Sequence, residues 1–216
     1  PVQVVWTRED DIQNSFYHAT SAQYLKGSID GQGKVTGWLQ RVGFPSIVSS
    51  FKPLSEYGSG FELNQGFTNN PYAIKNFRLE NVKAEANLRI GWMRSVVHIH
   101  SAFGINSFVD ELAFAAKKDP VQFHLELLGK DRIIEGKSKF PFNSKRFKNV
   151  LTTTADMANW EAELPKNHGI GIAMHYSFYS YIATIVEVSV VDRKVKIENI
   201  WTTIDCGLAL NKDNIK

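Results

Sequence analysis

Several places in this chain bring reactive side chains close together, and each admits a chemical and an architectural reading. His98 and His100 are two residues apart, a spacing that sets two imidazoles side by side on a strand and could begin a zinc site. No third ligand stands near them in sequence; a hydrolase built on the pair would be expected to carry bound zinc. Local hydrogen bonding ahead of a helix is the better reading. Asp110 and Glu111 are paired carboxylates, yet adjacent helical residues point about 100° apart and cannot act as one acid–base dyad; Asp110 reads as a structural hydrogen-bond acceptor. His175 and Tyr176, at a strand end, could line a substrate funnel, although packing of that end is the stronger expectation. Asp205-Cys206-Gly207 offers a thiol, but a nucleophilic cysteine needs a histidine partner and oxyanion donors, and a buried small residue is favoured. Gly31-Gln32-Gly33 is followed by no helix, so it reads as a turn and not a phosphate loop.

The composition narrows the classes these residues can serve. Hydrophobic residues make up 43% of the 216 and charged residues 22%, enough apolar surface for one large domain or two small ones and unlike a disordered chain. A formal charge of +3 without a clustered Lys/Arg stripe gives no reason to expect nucleic acid as a partner. A single cysteine, Cys206, excludes an intrachain disulfide and any thiolate cluster built from this chain alone. The longest apolar run, residues 182–191, is interrupted by Glu187 and reads as a strand, far short of the roughly 20 residues of a membrane-spanning helix. Pro1 leads without methionine into a strand-like segment, and the pattern stops at Lys216 without a turn or cap. Both ends suggest an excerpt from a longer polypeptide, with export left open.

The elements that must position these residues follow from periodicity. Residues 1–6 alternate weakly and predict a strand, and 24–29 and 34–42 predict two strands around the Gly-rich turn. Residues 43–70, rich in Gly, Ser, Asn and Phe, show no period and are expected to wrap a surface or line a site. A short strand is expected at 76–82. From Ser101, Ile105, Phe108, Val109, Leu112, Ala115 and Ala116 recur at helical spacing. Asp119-Pro120-Val121-Gln122 predicts a second helix, with Asp119 as cap, Pro120 in the first turn and Gln122 reaching back, ending at Gly129. A third is expected after the cap candidate Ser144, with Phe147, Val150 and Leu151 inward, closing near Trp160. Strands at 169–176, 181–191 and 194–204 close the chain, the last two joined by Asp192-Arg193. Both faces of 181–191 are largely apolar, which predicts cover on each side. The fold class is α+β, a sheet with packed helices in one layer pair, with residues 1–100 mostly β and loops, 101–160 helical and 169–211 a β-hairpin region.

The stretch Gly91-Trp92-Met93-Arg94-Ser95-Val96-Val97-His98-Ile99-His100, continuing through Val109-Asp110-Glu111-Leu112 to Lys118-Asp119-Pro120, resembles a segment of the xanthine dehydrogenase/aldehyde oxidase-type molybdenum hydroxylases. In that family an arginine on a tight loop precedes a helix with an Asp-Glu pair, and Lys-Asp-Pro follows. The likeness is closest to the isoquinoline 1-oxidoreductase large (β) chain and related membrane-associated aldehyde dehydrogenases. Residues 1–11, with Trp6-Thr7-Arg8-Glu9, resemble the strand and turn after the family's Gly-rich cofactor loop. Residues 180–211, with Asp205-Cys206-Gly207, resemble its late hairpin and following loop.

The resemblance implies the molybdopterin-binding domain fold, with residues 1–216 a fragment of that region in the large subunit. It implies a molybdenum-dependent hydroxylase or dehydrogenase that oxidises an aldehyde or N-heterocycle with oxygen from water. The implied cofactor is molybdopterin, usually as a molybdenum cytosine dinucleotide in bacteria. Electrons would leave through [2Fe–2S] clusters on a small partner subunit toward an acceptor that can be membrane-associated. Arg94, Ser95 and Val96 match the loop beside the cofactor, so they are the expected cofactor-binding residues; the family often has glycine where Val97 stands. The family's catalytic glutamate lies in a Gly-Glu-x-x-x-Pro motif that does not occur in these residues, so no catalytic residue is assigned and the piece is expected to be inactive alone. A non-catalytic binding or assembly module on the same fold is the alternative.

Overall fold

The computed structural model describes residues 1–215 except Pro53, Ala86 and 136–140. Strands β1 (Ala22–Ile29) and β2 (Val35–Gly43) pair antiparallel around the expected turn, where Gly33 adopts φ +73°. Strand β3 (Phe77–Val82) joins β2 in parallel, with Trp38 opposite Phe77. The parallel register needs a long crossover, and residues 44–76 supply it. They include a 3-10 turn at Ile47–Ser50 and the one-turn helix α2 (Gly60–Leu63).

Three longer helices follow: α3 (His98–Ala116), α4 (Pro120–Leu128) and α5 (Ser144–Met157). Two short strands, β4 (Ile133–Ile134) and β5 (Phe142–Asn143), pair between α4 and α5. A second, antiparallel sheet closes the fold, with β7 (Ser180–Val191) between β6 (His168–Ser177) and β8 (Lys194–Asp205). Helix α3 lies between the sheets, against β1 on one side and β6 on the other, while α5 packs on β7 and β8. Val109, Leu128, Val150, Leu151 and Ile185 meet in this layer with no exposed surface. Each such side chain contributes roughly 1.5–3 kcal/mol by leaving water.

The helical periodicity holds, with Ile105, Val109 and Leu112 inward as expected, though Ala113 and not Ala115 completes the buried face. Asp119 accepts from the Gln122 amide at 3.0 Å, but the reciprocal arm from the Gln122 side chain is not formed among the described residues. The cap of α5 is Asn143, whose Oδ1 accepts from the amides of Lys145 and Arg146; Ser144 is the first helical residue.

Three expectations are corrected. Residues 1–6 form no strand, because no neighbour offers them a hydrogen-bonding edge and Val2, Val4 and Val5 stand in solvent. They lead instead into helix α1 (Arg8–Asn14), capped by Thr7 and Asp10. Among the described residues two three-stranded sheets flank a helical layer, in place of one layer pair, since the crossover 44–76 returns the chain to the first sheet before the longer helices begin. Strand β7 is covered on one face only. Tyr181, Ala183 and Ile185 are buried under α5, while Ile182, Thr184, Val186 and Val188 stay half-exposed.

Candidate functional site

The loop before α3 is held in a conformation its residue types disfavour. Ser95 and Val96 have φ of 72° and 46°, the left-handed region, which is uncommon for serine and a genuine outlier for a β-branched residue. Such backbone persists only where surrounding contacts over-determine it, and it clusters at functional sites. Here the contacts are visible. The Val96 amide donates to the Met93 carbonyl at 2.9 Å, the His98 amide to the Ser95 carbonyl at 2.8 Å, and His18 Nε2 to the Arg94 carbonyl at 2.5 Å. Val97, where the family often has glycine, turns its bulk inward against Val42, Phe44 and Phe67 and so does not crowd the outer side of the loop.

Helix α3 begins without a side-chain cap. The Val97 amide donates to Gln65 Oε1 at 3.3 Å, whereas the amides of Ile99 and His100 find no acceptor among the described residues. Open N–H groups at the positive end of a 19-residue helix favour an anion or a carbonyl-type oxygen. Arg94 stands exposed beside them, and its guanidinium makes no hydrogen bond or ion pair among the described residues. A free guanidinium fork, a strained loop and open amides form a donor set suited to pterin or phosphate oxygens. These are the sequence-predicted residues Arg94, Ser95 and Val96, now placed together at one helix end.

A cleft of about 730 Å³ opens beside this end. Its floor is the segment 64–70 and its walls are aromatic, with Phe61, Phe142, Tyr176, Phe178 and Tyr179 contributing. The segment is anchored by Glu62, a fully buried carboxylate four times satisfied. Its oxygens accept from the Ser46 hydroxyl and the Ile47 amide at 2.7 Å, the Ser59 amide at 2.8 Å and the Ser59 hydroxyl at 2.7 Å. The sequence signal for it is Ser59-x-x-Glu62, a capping box that sequence reading missed. Gly66, at φ +97°, lets the segment press on α3; a Cβ there would lie 2.7 Å from that of Ser101.

His98 reaches the cleft, and its partner is not His100. His98 Nδ1 and His175 Nε2 are 2.9 Å apart, one donating to the other, and the rings meet edge to face at 5.1 Å. Burial holds both imidazoles down to about 4, with the neighbouring His98 adding to the effect on His175, so both are neutral at pH 7. His175 and Tyr176 thus do line cavities at a strand end. The imidazole of His100 is held down to about 4 by burial, with His18 adding to the effect and the Ala19 backbone opposing it. No cluster of three metal-ligating residues occurs among the described residues.

Asp110 departs from expectation. It lines a separate groove of about 270 Å³, its Oδ1 is buried without a hydrogen bond among the described residues, and burial raises its carboxyl to about 6, so it does not act as a structural acceptor for any of them. Asp205 instead takes the guanidinium fork of Arg146 at 2.6 and 2.8 Å, and that ion pair holds its carboxyl low. Cys206 beside it is partly exposed and carries a free thiol.

No family model matches the chain. It is 28% identical, over its full length, to a membrane-bound aldehyde dehydrogenase of Gluconacetobacter polyoxogenes named for pyrroloquinoline quinone. It is 23% identical to a nicotinate dehydrogenase subunit of Pseudomonas putida and 22% identical to the beta chain of isoquinoline 1-oxidoreductase of Brevundimonas diminuta, again over its full length. The chain spans 30%, 19% and 27% of these relatives' own lengths. An aldehyde oxidoreductase structure from Desulfovibrio gigas aligns with a TM-score of 0.46 and 14% identity, over 83% of this chain and 21% of that one. Along its whole length the chain is thus similar to proteins named as aldehyde, nicotinate and isoquinoline dehydrogenases or oxidoreductases.

Proposed function

We propose that this chain is part of the large subunit of a molybdenum-dependent oxidoreductase, and that Arg94, Ser95 and Val96 form one side of its molybdopterin site. The observation that carries the reading is the uncapped end of α3 behind a left-handed Ser95-Val96 loop, with the exposed Arg94 guanidinium beside it unpaired among the described residues. The relatives are dehydrogenase and oxidoreductase subunits, which supports the class of reaction. When bound, the group would supply two-electron chemistry at the substrate carbon, with the inserted oxygen coming from water. The residues of this chain bind and orient it: Arg94 with a charged fork, the loop and first helical turn with backbone N–H groups. The acid–base work falls to residues outside these 216. The substrate is an aldehyde or N-heterocycle, the dinucleotide form is the cytosine one, and electrons pass to a [2Fe–2S] small subunit and on to a membrane-associated acceptor.

The Gluconacetobacter relative's name favours a second reading, a quinone cofactor in the same place. Both are tested by measuring molybdenum, pterin and pyrroloquinoline quinone in the purified full-length protein and in Arg94→Ala. Molybdenum and pterin should be present and fall about tenfold or more on loss of the charge-assisted contacts. Arg94→Lys should restore little, because an ammonium cannot reproduce the fork. Quinone in place of pterin would decide for the second reading. A protein free of metal and cofactor, purified without a redox partner, would refute both and favour a binding or assembly module.

A further inference from the structure

The left-handed loop before α3 is gripped from a segment 76 positions earlier. Residues 14–18 lie along 89–91 as a strap. The Tyr17 amide donates to the Arg89 carbonyl at 2.9 Å, and the Gly91 amide to the Tyr17 carbonyl at 3.2 Å. The Arg89 guanidinium fastens the near end of the strap, donating to the Asn14 and Ser15 carbonyls at 2.5 and 3.0 Å and lying 5.6 Å over the Phe16 ring. At Gly91 the two segments touch so closely that a Cβ would lie 2.4 Å from Phe16 Cγ. The strap therefore has little freedom to withdraw, and His18 at its end brings a ring nitrogen to a fixed place. That nitrogen, Nε2, lies 2.5 Å from the Arg94 carbonyl oxygen. A carbonyl only accepts, so Nε2 holds the proton.

The Arg94 carbonyl belongs to the peptide that sets Ser95 in its unusual conformation. No peptide bond among the described residues is cis, so the Arg94 C=O and the Ser95 N–H point in opposite directions. With the carbonyl turned to His18, the Ser95 amide points away from it and has no acceptor among the described residues. Turning this one peptide over would exchange the two groups. It would also carry Ser95 φ from 72° through about half a turn, into the negative range that local sterics favour. The flipped loop is thus the less strained one for Ser95, yet it would break the His18 contact and present a carbonyl oxygen where the N–H now stands. A ligand's acceptor oxygen is attracted by the first arrangement and repelled by the second.

We propose that His18 is the positioning residue of this loop: it holds the Arg94–Ser95 peptide unflipped, so that the Ser95 amide stays a donor for the bound group. The holding role stands on the geometry, and the donor's target rests on the molybdopterin reading. Crystal structures and the molybdenum and pterin contents of the full-length parent, His18→Leu and His18→Gln test both. Leucine removes the donor, whereas glutamine offers an Nε2–H at a similar reach. His18→Leu should show Ser95 at negative φ with the Arg94 carbonyl turned out, and should retain molybdenum and pterin about tenfold less well through dialysis. His18→Gln should restore both the positive φ and the retention. Should His18→Leu not fold, His18→Asn, polar but too short to reach the carbonyl, takes its place. A folded variant without the donor that keeps Ser95 at positive φ would overturn the proposal, as would glutamine behaving like leucine. A flipped loop with the cofactor retained as in the parent would overturn the donor's role. A parent free of molybdenum and pterin would refute the molybdopterin reading, and Ser95 φ in the variants would still decide the holding role.

Discussion

Replacing Glu62 by glutamine changes one oxygen to an NH2 group and little else in volume, yet it should unsettle the whole floor of the cleft. Glu62 Oε1 accepts from the Ile47 amide, while Oε2 takes the Ser46 hydroxyl, the Ser59 amide and the Ser59 hydroxyl. With the amide oxygen toward Ile47, the new NH2 faces the Ser59 N–H, donor against donor. The two hydroxyls can turn to accept, but the backbone amide cannot. Three charge-assisted bonds at roughly 1.5–3 kcal/mol each are lost and two neutral ones at about 1 kcal/mol return, leaving a loss of roughly 2.5–7 kcal/mol. For a urea slope of about 2 kcal/mol/M, that moves the unfolding midpoint down by roughly 1–3.5 M. Tryptophan fluorescence during urea unfolding would measure it, and hydrogen exchange at Ile47 and Ser59 should accelerate by the same free energy if the segment opens locally. Ser59→Ala, which removes only the cap hydroxyl, should cost about 1 kcal/mol. A Glu62→Gln midpoint within about 0.5 M of the parent, with unchanged exchange at both amides, would refute the assignment of this carboxylate as the anchor.

Acid should destabilise the fold through its buried imidazoles. His124 is fully buried against Tyr72, and burial lowers it to about 4 from 6.5. The unfolded chain takes a proton that the native state refuses, so stability is full above about pH 6.5 and falls as pH drops toward 4, by roughly 2 kcal/mol between pH 7 and 5 for this residue. Urea midpoints across that range should show a shallower slope for His124→Asn; identical slopes would count against it. Asp110 behaves oppositely: its carboxyl is raised to about 6, so its stability contribution is complete below about pH 4 and is lost as pH rises through 6. Asp110→Asn should therefore stabilise the protein at pH 7 by about 1 kcal/mol, after allowing for solvent access, and not at pH 4, as thermal melts at both values would show. Arg146→Lys should lower stability by about 1–2 kcal/mol, because a lysine keeps the charge near Asp205 but loses the fork and the stacking at 4.6 Å over Tyr181; a melt unchanged from the parent would remove that interaction from the account.

Much of the architecture was legible in order along the chain. The spacing of Ile105, Val109 and Leu112, the Asp119-Pro120 start and the alternation in 181–191 each act through neighbours within a turn or a strand pair, so local pattern carries them. The weak alternation of residues 1–6 misled because a strand is completed by a partner and not by its own period. The one-face cover of β7 escaped for a similar reason: apolar residues on both sides state what could be buried, and the position of α5 decides which side is.

For the site the division is sharper. The resemblance of residues 91–120 to a known family pointed to Arg94, Ser95 and Val96 as a cofactor-side loop, because a resemblance is carried by a contiguous stretch. Nothing in a run of serine and valine announces φ of 72° and 46°, since local sterics oppose it and only His18, Met93 and the seat of Val97 in the core enforce it. Likewise His98 faces His175 across 77 positions, and the side-chain oxygens of Gln65, Asn69 and Asn70 are held by backbone amides of other residues. Residue order was enough to place the longer helices and most strands and to show which proteins the chain resembles, through interactions that end within a few residues. Which polar atoms are left open, and toward which cavity, came from tertiary packing, because a hydrogen bond is satisfied or unsatisfied only once both partners are in place.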